Sequence, residues 1–246
     1  MKTIETTLLR GRIKFLQPEK GFHASMDSVF LAAAVNTSVK GAKLLDMGCG
    51  VGTVGLCVTS RLSDIELTGI DIQPELIELA NKNAALNNIK ANFICSNIKE
   101  EKIIENNYFN EIVMNPPYME SGTHTPSPDK IKATSHGEGV SDTSLEEWIK
   151  YSHQKLKQGG TLSIIHRADR LDDIIPHLTK RRWFGSIVIY PMHSYAGDDA
   201  KRIIVKARKE RYDRLVIKSG IVIHNTDGKY TDEAEEILSD AKGIEF

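Results

Sequence analysis

The chain has 246 residues, of which 40% are hydrophobic and 26% are charged, a balance typical of a soluble globular protein with one large domain. No apolar run approaches the roughly 20 residues that span a bilayer, and the first residues lack the apolar stretch of a secretory signal, so we expect a cytoplasmic protein. The three cysteines are odd in number and lack metal-ligand spacing, which argues against a disulfide framework and predicts no metal site.

The formal net charge of −1 conceals an uneven distribution of charged side chains. Residues 130–218 contain 18 basic and 11 acidic side chains, whereas residues 219–246 contain 2 basic and 7 acidic ones. A basic central region can bind the phosphates of a nucleic acid, or it can be an ordinary solvated surface. Charge alone leaves both interpretations open.

Strand-like and helix-like patterns alternate through the first half of the chain, which favours a parallel sheet flanked by helices. The predicted strands are 43–47, 66–71, 92–96 and 109–114, and the predicted helices are 54–62 and 75–86. A long polar segment, 119–143, follows; loops of this length are usually functional or mobile.

The second half continues with elements that include two strands joined by a short loop. The predicted helices are 145–156, 171–181 and 231–239, and the predicted strands are 161–166, 186–190, 202–207 and 221–224. Together the elements predict an α/β fold whose seven-stranded sheet is mostly parallel, with an antiparallel hairpin near the C-terminus.

A glycine-rich turn, Asp46-Met47-Gly48-Cys49-Gly50-Val51-Gly52, joins the first of these strands to a helix. Glycines let the backbone turn tightly and approach a ligand, and the helix N-terminus adds N–H groups and partial positive charge. Asp71 follows Gly52 by nineteen residues, at the end of the next strand, where a carboxylate can accept hydrogen bonds from ribose hydroxyls. Asp71 can alternatively cap the helix that begins near Pro74.

These features favour a nucleoside cofactor without phosphates. The glycine spacing is G-x-G-x-G, not the G-x-G-x-x-G of dinucleotide sites, and the Asp46 carboxylate would repel a pyrophosphate. S-adenosylmethionine has an ammonium, a sulfonium and no phosphate, so it fits better than a dinucleotide. The predicted cofactor-binding residues are Asp46, Gly48, Gly50, Gly52, Asp71 and Ile72.

A second motif, Asn115-Pro116-Pro117-Tyr118, follows the fourth predicted strand. Strand ends line the ligand crevice of an open parallel sheet, so Asn115 is expected beside the glycine-rich turn. Its amide oxygen and the Pro116 carbonyl can accept the two hydrogens of an amino group and direct the nitrogen lone pair at a methyl donor. Tyr118 offers a flat face on which a base can stack. Asn115, Pro116 and Tyr118 are therefore the predicted catalytic residues.

The two motifs together resemble those of class I S-adenosylmethionine-dependent methyltransferases that modify adenine N6, guanine N2 or glutamine N5. This resemblance implies a Rossmann-like fold. In that family the residue after the third strand often contacts the cofactor adenine, which implies this role for Asn97, although family members often have aspartate there.

The N-terminal region is similar to that of the bacterial tRNA(valine) adenine-N6 methyltransferases. The similarity lies in LRGRI at 9–13, QP at 17–18 and GFHASMDSVFLA at 21–32, and it continues to the segment 223–231. In that family the N-terminal segment lies over the cofactor and usually contains an aspartate that matches Asp27, so Asp27 is also assigned to the cofactor site. His23 stands where many relatives have arginine.

The resemblance implies methyl transfer to adenine N6 in an RNA, most naturally a tRNA, because such enzymes act on flipped or unpaired bases. Candidate phosphate ligands are the basic residues Lys130, Lys132, Lys180, Arg181, Arg182, Lys201, Arg202, Lys206, Arg208, Lys209 and Arg211. Trp183 and Phe184 lie beside the arginines and can pack in the core instead.

Two alternative functions use the same motifs. A glutamine-N5 methyltransferase acting on a translation release factor would have the same clamp, but such enzymes usually have a sizeable helical domain before the glycine-rich turn. A non-catalytic module that binds RNA is the other alternative, and it would show little affinity for S-adenosylmethionine. We divide the chain into an N-terminal segment packing on the catalytic domain, 1–40, the methyltransferase domain, 41–212, and its C-terminal extension, 213–246.

Overall fold

The computed structural model describes residues 2–20, 24–100, 103–117 and 143–246. Its helices are α1 (Met26–Ala33), α2 (Thr53–Arg61), α3 (Pro74–Leu86), α4 (Leu145–Lys155), α5 (Leu171–Thr179) and α6 (Asp232–Asp240). Its strands are β1 (Thr3–Leu8), β2 (Ile13–Pro18), β3 (Ala42–Met47), β4 (Ile65–Asp71), β5 (Ala91–Cys95), β6 (Phe109–Met114), β7 (Leu156–Arg167), β8 (Phe184–His193), β9 (Ala200–Lys209), β10 (Val216–Ile217) and β11 (Ile221–Val222). None of the described helices is long and apolar enough to cross a membrane.

The central sheet has the order β10-β8-β9-β7-β6-β3-β4-β5, with β11 also paired to β8. β9 is antiparallel to both β7 and β8, and the other pairings are parallel. The predicted α/β fold, with its mostly parallel sheet and C-terminal antiparallel hairpin, is confirmed. Seven strands form the body of the sheet, and the two-residue strands β10 and β11 bring the total to nine.

The strand order reverses between β3 and β6. From β3 the chain proceeds outward to β4 and β5, then returns to the other side of β3 and proceeds to β6 and β7. Ligands of open α/β sheets bind at such a reversal, beyond the strand ends. We call the side where the parallel strands end the carboxyl edge, and the opposite side the amino edge. The carboxyl ends of β3 and β6 therefore flank the expected ligand crevice.

The sheet is covered by helices on both faces, which explains the apolar character of its central strands. Leu44 of β3 packs in a cluster with residues of α1, α2 and α6, while its neighbours Leu45 and Met47 pack on the other face with residues of α4 and α5. All three side chains are fully buried. A rigid, dry sheet thus fixes the positions of the loops at its carboxyl edge.

The N-terminal region adds an antiparallel hairpin, β1–β2, which forms a separate two-stranded sheet. The buried Asn83 side chain of α3 anchors this hairpin, because it donates to the Leu16 carbonyl at 3.0 Å and accepts from the Leu16 N–H at 2.7 Å. One apolar cluster includes Phe15, Leu44 and Ile237, one from each of the three segments defined above. The division at residues 40 and 212 stays a prediction.

Candidate active site

The glycine-rich turn has a backbone conformation that side-chain-bearing residues adopt only at a cost. Gly48, Gly50 and Gly52 have φ angles of 67°, 53° and 85°. This left-handed region costs an L-residue with a Cβ roughly 1–2 kcal/mol. The turn ends at the first residue of α2, Thr53, and Gly52 serves as the N-cap.

Two aromatic rings pack against the back of this turn and leave no space for a Cβ. A Cβ on Gly48 would lie 2.6 Å from Cη2 of Trp148, and one on Gly52 would lie 2.9 Å from Cζ of Phe93. Trp148 was missed by the sequence analysis, because a tryptophan on an amphipathic helix is indistinguishable from ordinary core. Gly48 and Gly52 are thus required for two reasons. Their backbone conformation forms the turn, and the absence of a Cβ leaves space for the aromatic rings beneath it.

Asp71 fixes the turn to the end of β4. One carboxylate oxygen, Oδ2, accepts from the Gly50 N–H at 2.9 Å, and the other accepts from the Gln73 N–H at 2.9 Å. Burial raises the pKa of Asp71, and these N–H bonds oppose the shift. Each oxygen keeps a further lone pair for a ribose hydroxyl. The bond to Gln73, the N-cap of α3, shows that Asp71 also has the local structural role considered as its alternative.

Asp46 lies beneath the turn. Asp46 is 2% exposed. Its Oδ2 accepts from the N–H of Gly55, in the first turn of α2, at 2.8 Å. Burial raises the pKa of Asp46 to about 7, the Gly55 bond opposes this shift, and the nearby Asp71 carboxylate adds to it. The carboxylate therefore holds the start of α2 under the turn. Its predicted direct contact with a cofactor stays a prediction.

Ile72 and Asn97 lie at the ends of neighbouring strands, β4 and β5. Ile72 is 37% exposed, an unusual position for an apolar side chain between Asp71 and the N-terminus of a helix. Asn97 is half-buried, and its Oδ1 accepts from the Lys99 N–H at 2.9 Å. An apolar face beside an amide suits a purine, so both residues remain candidates for the adenine end of a cofactor.

Asn115 follows the last residue of β6, and Gly48 follows the last residue of β3. These two strands are paired in register, with Met47 opposite Met114. Because neighbouring strands lie about 4.8 Å apart, the backbone of Asn115 stands beside that of Gly48 at the carboxyl edge. Asn115 is half-buried and Pro116 is buried. Tyr118, the third predicted catalytic residue, lies outside the described residues, as does nearly all of the polar segment 119–143.

The same edge continues past β6 into a polar cluster that the motifs did not reveal. Asp27, in the first turn of α1, accepts from Nε of Arg202 on β9 at 3.0 Å. Arg202 pairs in register with Arg167 at the end of β7, next to the buried His166. Burial, together with the charge of Arg170, lowers the pKa of His166 to about 4, so this imidazole is neutral near pH 7. The predicted contact between Asp27 and a cofactor stays a prediction.

The structure separates the candidate phosphate ligands. Lys201 and Arg202 lie at the carboxyl edge, whereas Arg181, Arg182, Arg208 and Arg211 lie at the amino edge. The Lys180 ammonium is paired with the Glu146 carboxylate, in the first turn of α4, at 2.5 Å. Lys130 and Lys132 lie outside the described residues.

Two of the candidate lysines point inward. The assignment of Lys209 was wrong: this residue is 5% exposed, and its ammonium donates to the Leu156 carbonyl at 2.9 Å. Lys206 is similarly occupied, since it donates to the Ala34 carbonyl at 2.8 Å. Phe184 is buried and Trp183 is half-buried against His153, so these aromatic residues belong to the packing.

The residues of the turn fit a cofactor that has a ribose and no phosphate. Residues 46–60, which form the turn and most of α2, contain no lysine or arginine. Within the described residues, no group of three or more His, Cys, Asp or Glu side chains is placed to hold a metal ion. The available groups are backbone N–H donors, the Asp71 carboxylate and the apolar Ile72.

The comparisons with known proteins agree with this geometry. Residues 23–129 match the model of the methyltransferase small domain family. A predicted O-methyltransferase from Agrobacterium tumefaciens superposes with a TM-score of 0.71 at 24% identity, over 89% of this chain and 98% of that one. A 16S rRNA guanine-N2 methyltransferase from Thermus thermophilus superposes with a TM-score of 0.57 at 17% identity, over 85% of this chain and 50% of that one.

The fold and its glycine-rich turn define a class I S-adenosylmethionine-dependent methyltransferase. Within that class, the family model that residues 23–129 match is that of the methyltransferase small domain.

Two kinds of curated relative are similar to this chain. A tRNA1(Val) (adenine(37)-N6)-methyltransferase from Porphyromonas gingivalis is 28% identical over 217 residues, which cover 84% of this chain and 83% of that protein. A release factor glutamine methyltransferase from Fusobacterium nucleatum is 28% identical over 184 residues, which cover 72% of this chain and 51% of that protein.

Proposed function

We propose that this chain transfers the methyl group of S-adenosylmethionine to N6 of an unpaired adenine in a tRNA. The observation that carries the proposal is the register of β3 and β6, which puts Asn115 and Pro116 beside the glycine-rich turn. An acceptor pair beside this turn would lie close to a methyl donor bound there. The names of the relatives support adenine in a tRNA as the substrate.

The amino group of adenine is a weak nucleophile, because its lone pair is delocalised into the ring. The Asn115 amide oxygen and the Pro116 carbonyl accept its two hydrogens, which favours a tetrahedral nitrogen whose lone pair points at the methyl carbon. Proline restricts the backbone on both sides of that carbonyl, since Pro116 and Pro117 each fix φ near −65°. The Pro116 carbonyl is therefore set before the base arrives.

The cofactor supplies a methyl group already activated by its sulfonium, so alignment is the main contribution of the chain. Well-oriented reactants gain on the order of 7–11 kcal/mol of barrier reduction from proximity alone. Asp71, Ile72 and Asn97 would hold the nucleoside part of the cofactor, and Gly48, Gly50 and Gly52 would receive its amino-acid end. Tyr118 would stack on the target base. His166 comes two residues after Ile164, the β7 residue that pairs with Met114.

The second candidate is methyl transfer to a glutamine side chain of a release factor, because an amide NH₂ fits the same two acceptors. The coverage of the relatives favours the tRNA. The aligned segments cover 83% to 92% of the tRNA methyltransferases but 51% of the release factor enzyme. The catalytic clamp is common to both, so the substrate is decided by surfaces outside it.

The test is identification of the methylated product. We would incubate the protein and labelled S-adenosylmethionine with an unmodified valine tRNA transcript in one reaction and a release factor in another. We expect N6-methyladenosine after digestion of the tRNA and no label on the release factor. Label on glutamine, or on a base other than adenine, would contradict the assignment; absence of both label and cofactor binding would favour the non-catalytic module.

A further inference from the structure

A basic surface lies at the amino edge of the sheet, opposite the glycine-rich turn. Its members share this edge and carry cationic side chains that are exposed or half-buried; they are Lys157, Arg181, Arg182, Arg208, Arg211 and Arg214. Lys157 is at the start of β7, Arg208 is near the end of β9, and the others flank the start of β8. We call this set the basic edge.

Three of the five arginines of the basic edge, Arg182, Arg208 and Arg211, are held in place by contacts within the fold. The guanidinium of Arg182 lies 4.4 Å from the ring centroid of Tyr212, whose hydroxyl donates to the Arg182 carbonyl at 2.9 Å. Arg208 donates from Nε and Nη2 to the Gly159 carbonyl, both at 3.2 Å. Arg211 packs against Gly159, because a Cβ there would lie 3.3 Å from its Nε. These cations are displayed in fixed positions, which lowers the entropy lost on binding.

The acids beside the basic edge are engaged with neutral or internal partners. Asp213 accepts from the Ser186 hydroxyl at 2.7 Å, and Glu210 lies 3.5 Å from Nε2 of His153. Glu111 is buried, and its burial raises its pKa to about 7. Hydrogen bonds to neutral groups leave Asp213 and Glu210 negatively charged, but the six cations of the basic edge outnumber these two acids, so the net charge of the surface is positive.

The shape of this surface also suits phosphates. A cavity of about 360 Å³ opens beside Arg208 and Lys157. It is lined by the glycine pair Gly159–Gly160, by residues 36–39 and by the buried Glu111. Tyr212, which follows Arg211 in the chain, is 51% exposed. Fixed guanidinium groups, a polar recess and an exposed aromatic ring form a typical contact surface for a structured RNA.

We propose that the basic edge is a second docking surface for the tRNA, separate from the crevice that holds the target base. This proposal rests on the proposed function. The six residues of β6 separate the two edges by about 20 Å, which corresponds to about six nucleotides at roughly 3.4 Å each along a strand. A folded RNA can contact both edges at once, whereas a trinucleotide reaches only the crevice.

The test compares two triple variants of equal charge change. The first is Arg181→Gln, Arg211→Gln and Arg214→Gln; the control is Lys14→Gln, Lys82→Gln and Lys90→Gln, three exposed lysines around α3. We would measure the Kd of a valine tRNA transcript across a salt series, and kcat at saturating tRNA. The arginine variant should bind about tenfold more weakly near 0.15 M salt, with a salt slope smaller by about 2 to 3, and its kcat should be unchanged.

If the arginine variant had the same Kd and salt slope as the lysine control, the proposal would be overturned. The basic edge would then be assigned to an acidic protein partner. Should the triple variant fail to fold, Arg181→Gln with Arg214→Gln provides the test, since neither side chain packs on Gly159 or Tyr212. Failure of the proposed function looks different: the unaltered protein would then not methylate the transcript at all.

Discussion

The two edges of the central sheet differ in the residues that form them and in the functions proposed for them. The carboxyl edge is built from backbone, glycine and half-buried polar groups, and Asp71 and Asn115 lie within it. The amino edge displays fixed arginines around a polar cavity. The comparison indicates that chemistry needs a small set of precisely oriented groups, whereas docking of a polyanion needs net charge spread over a wide surface.

The largest effect is expected at Asn115. Asn115→Ala removes one of the two acceptors and should lower kcat by roughly 10³-fold, because oriented polar groups at the reacting atoms contribute on this scale. Affinity for S-adenosylmethionine and for tRNA should stay near that of the unaltered protein, which single-turnover kinetics and binding titrations would measure. Asn92→Ala, at an exposed position in β5, is the matched control. Comparable turnover in the two variants would remove Asn115 from the clamp.

Gly48→Ala should affect the turn through both its conformation and its packing. The Cβ would meet Trp148 at 2.6 Å in a residue with φ of 67°, so we expect about 2–5 kcal/mol of destabilisation by denaturant unfolding. Gly197→Ala isolates the conformational part: its φ is 87°, and no atom lies within 4 Å of the added Cβ. A control that lost as much stability as Gly48→Ala would show that Trp148 does not restrict this position.

Asp71→Ala should weaken binding of S-adenosylmethionine by roughly 10- to 100-fold, since hydrogen bonds to a charged group are worth about 1.5–3 kcal/mol. Part of this loss comes from the Gly50 N–H, which loses its acceptor. Calorimetric titration would measure the affinity, with Asp64→Ala, at an exposed loop position, as the control. Unchanged affinity would eliminate the ribose role.

A pH dependence of stability is expected from Glu111, which lines the cavity at the amino edge. Burial raises the pKa of Glu111 to about 7, so the folded protein holds a proton there that the unfolded chain releases above its ordinary value of 4.5. The free energy of unfolding should therefore fall as pH rises from about 4.5 to 7, by roughly 3 kcal/mol from Glu111. Glu111→Gln should reduce the dependence of the unfolding free energy on pH. The dependence that remains comes from Asp46, whose pKa is also raised. A slope identical in both proteins would show that Glu111 is not its source.

Local sequence patterns were sufficient to predict the elements that form the carboxyl edge. The strand at 109–114 agrees with β6, and the glycine-rich turn lies between β3 and α2, because alternation of short buried strands with helices is a local signal. The antiparallel pair was anticipated too, although β8 and β9 extend two or more residues beyond the predicted strands at each end.

Contacts between distant residues were not predictable in the same way. Trp148 beneath Gly48, Asn83 against Leu16, and Arg202 against Asp27 depend on how elements pack, and no spacing in the sequence encodes them. The lysines of β9 illustrate the same limit. Composition grouped Lys206 and Lys209 with the arginines, yet strand alternation and packing direct both ammonium groups to backbone carbonyls.

The most direct test of the account is a crystal structure of the protein with S-adenosylhomocysteine and adenosine monophosphate. We expect the adenine N6 atom within about 2.7–3.2 Å of both the Asn115 Oδ1 atom and the Pro116 carbonyl oxygen, on the side that faces the cofactor sulfur. An adenine bound with N6 directed away from these two oxygens would contradict the central claim.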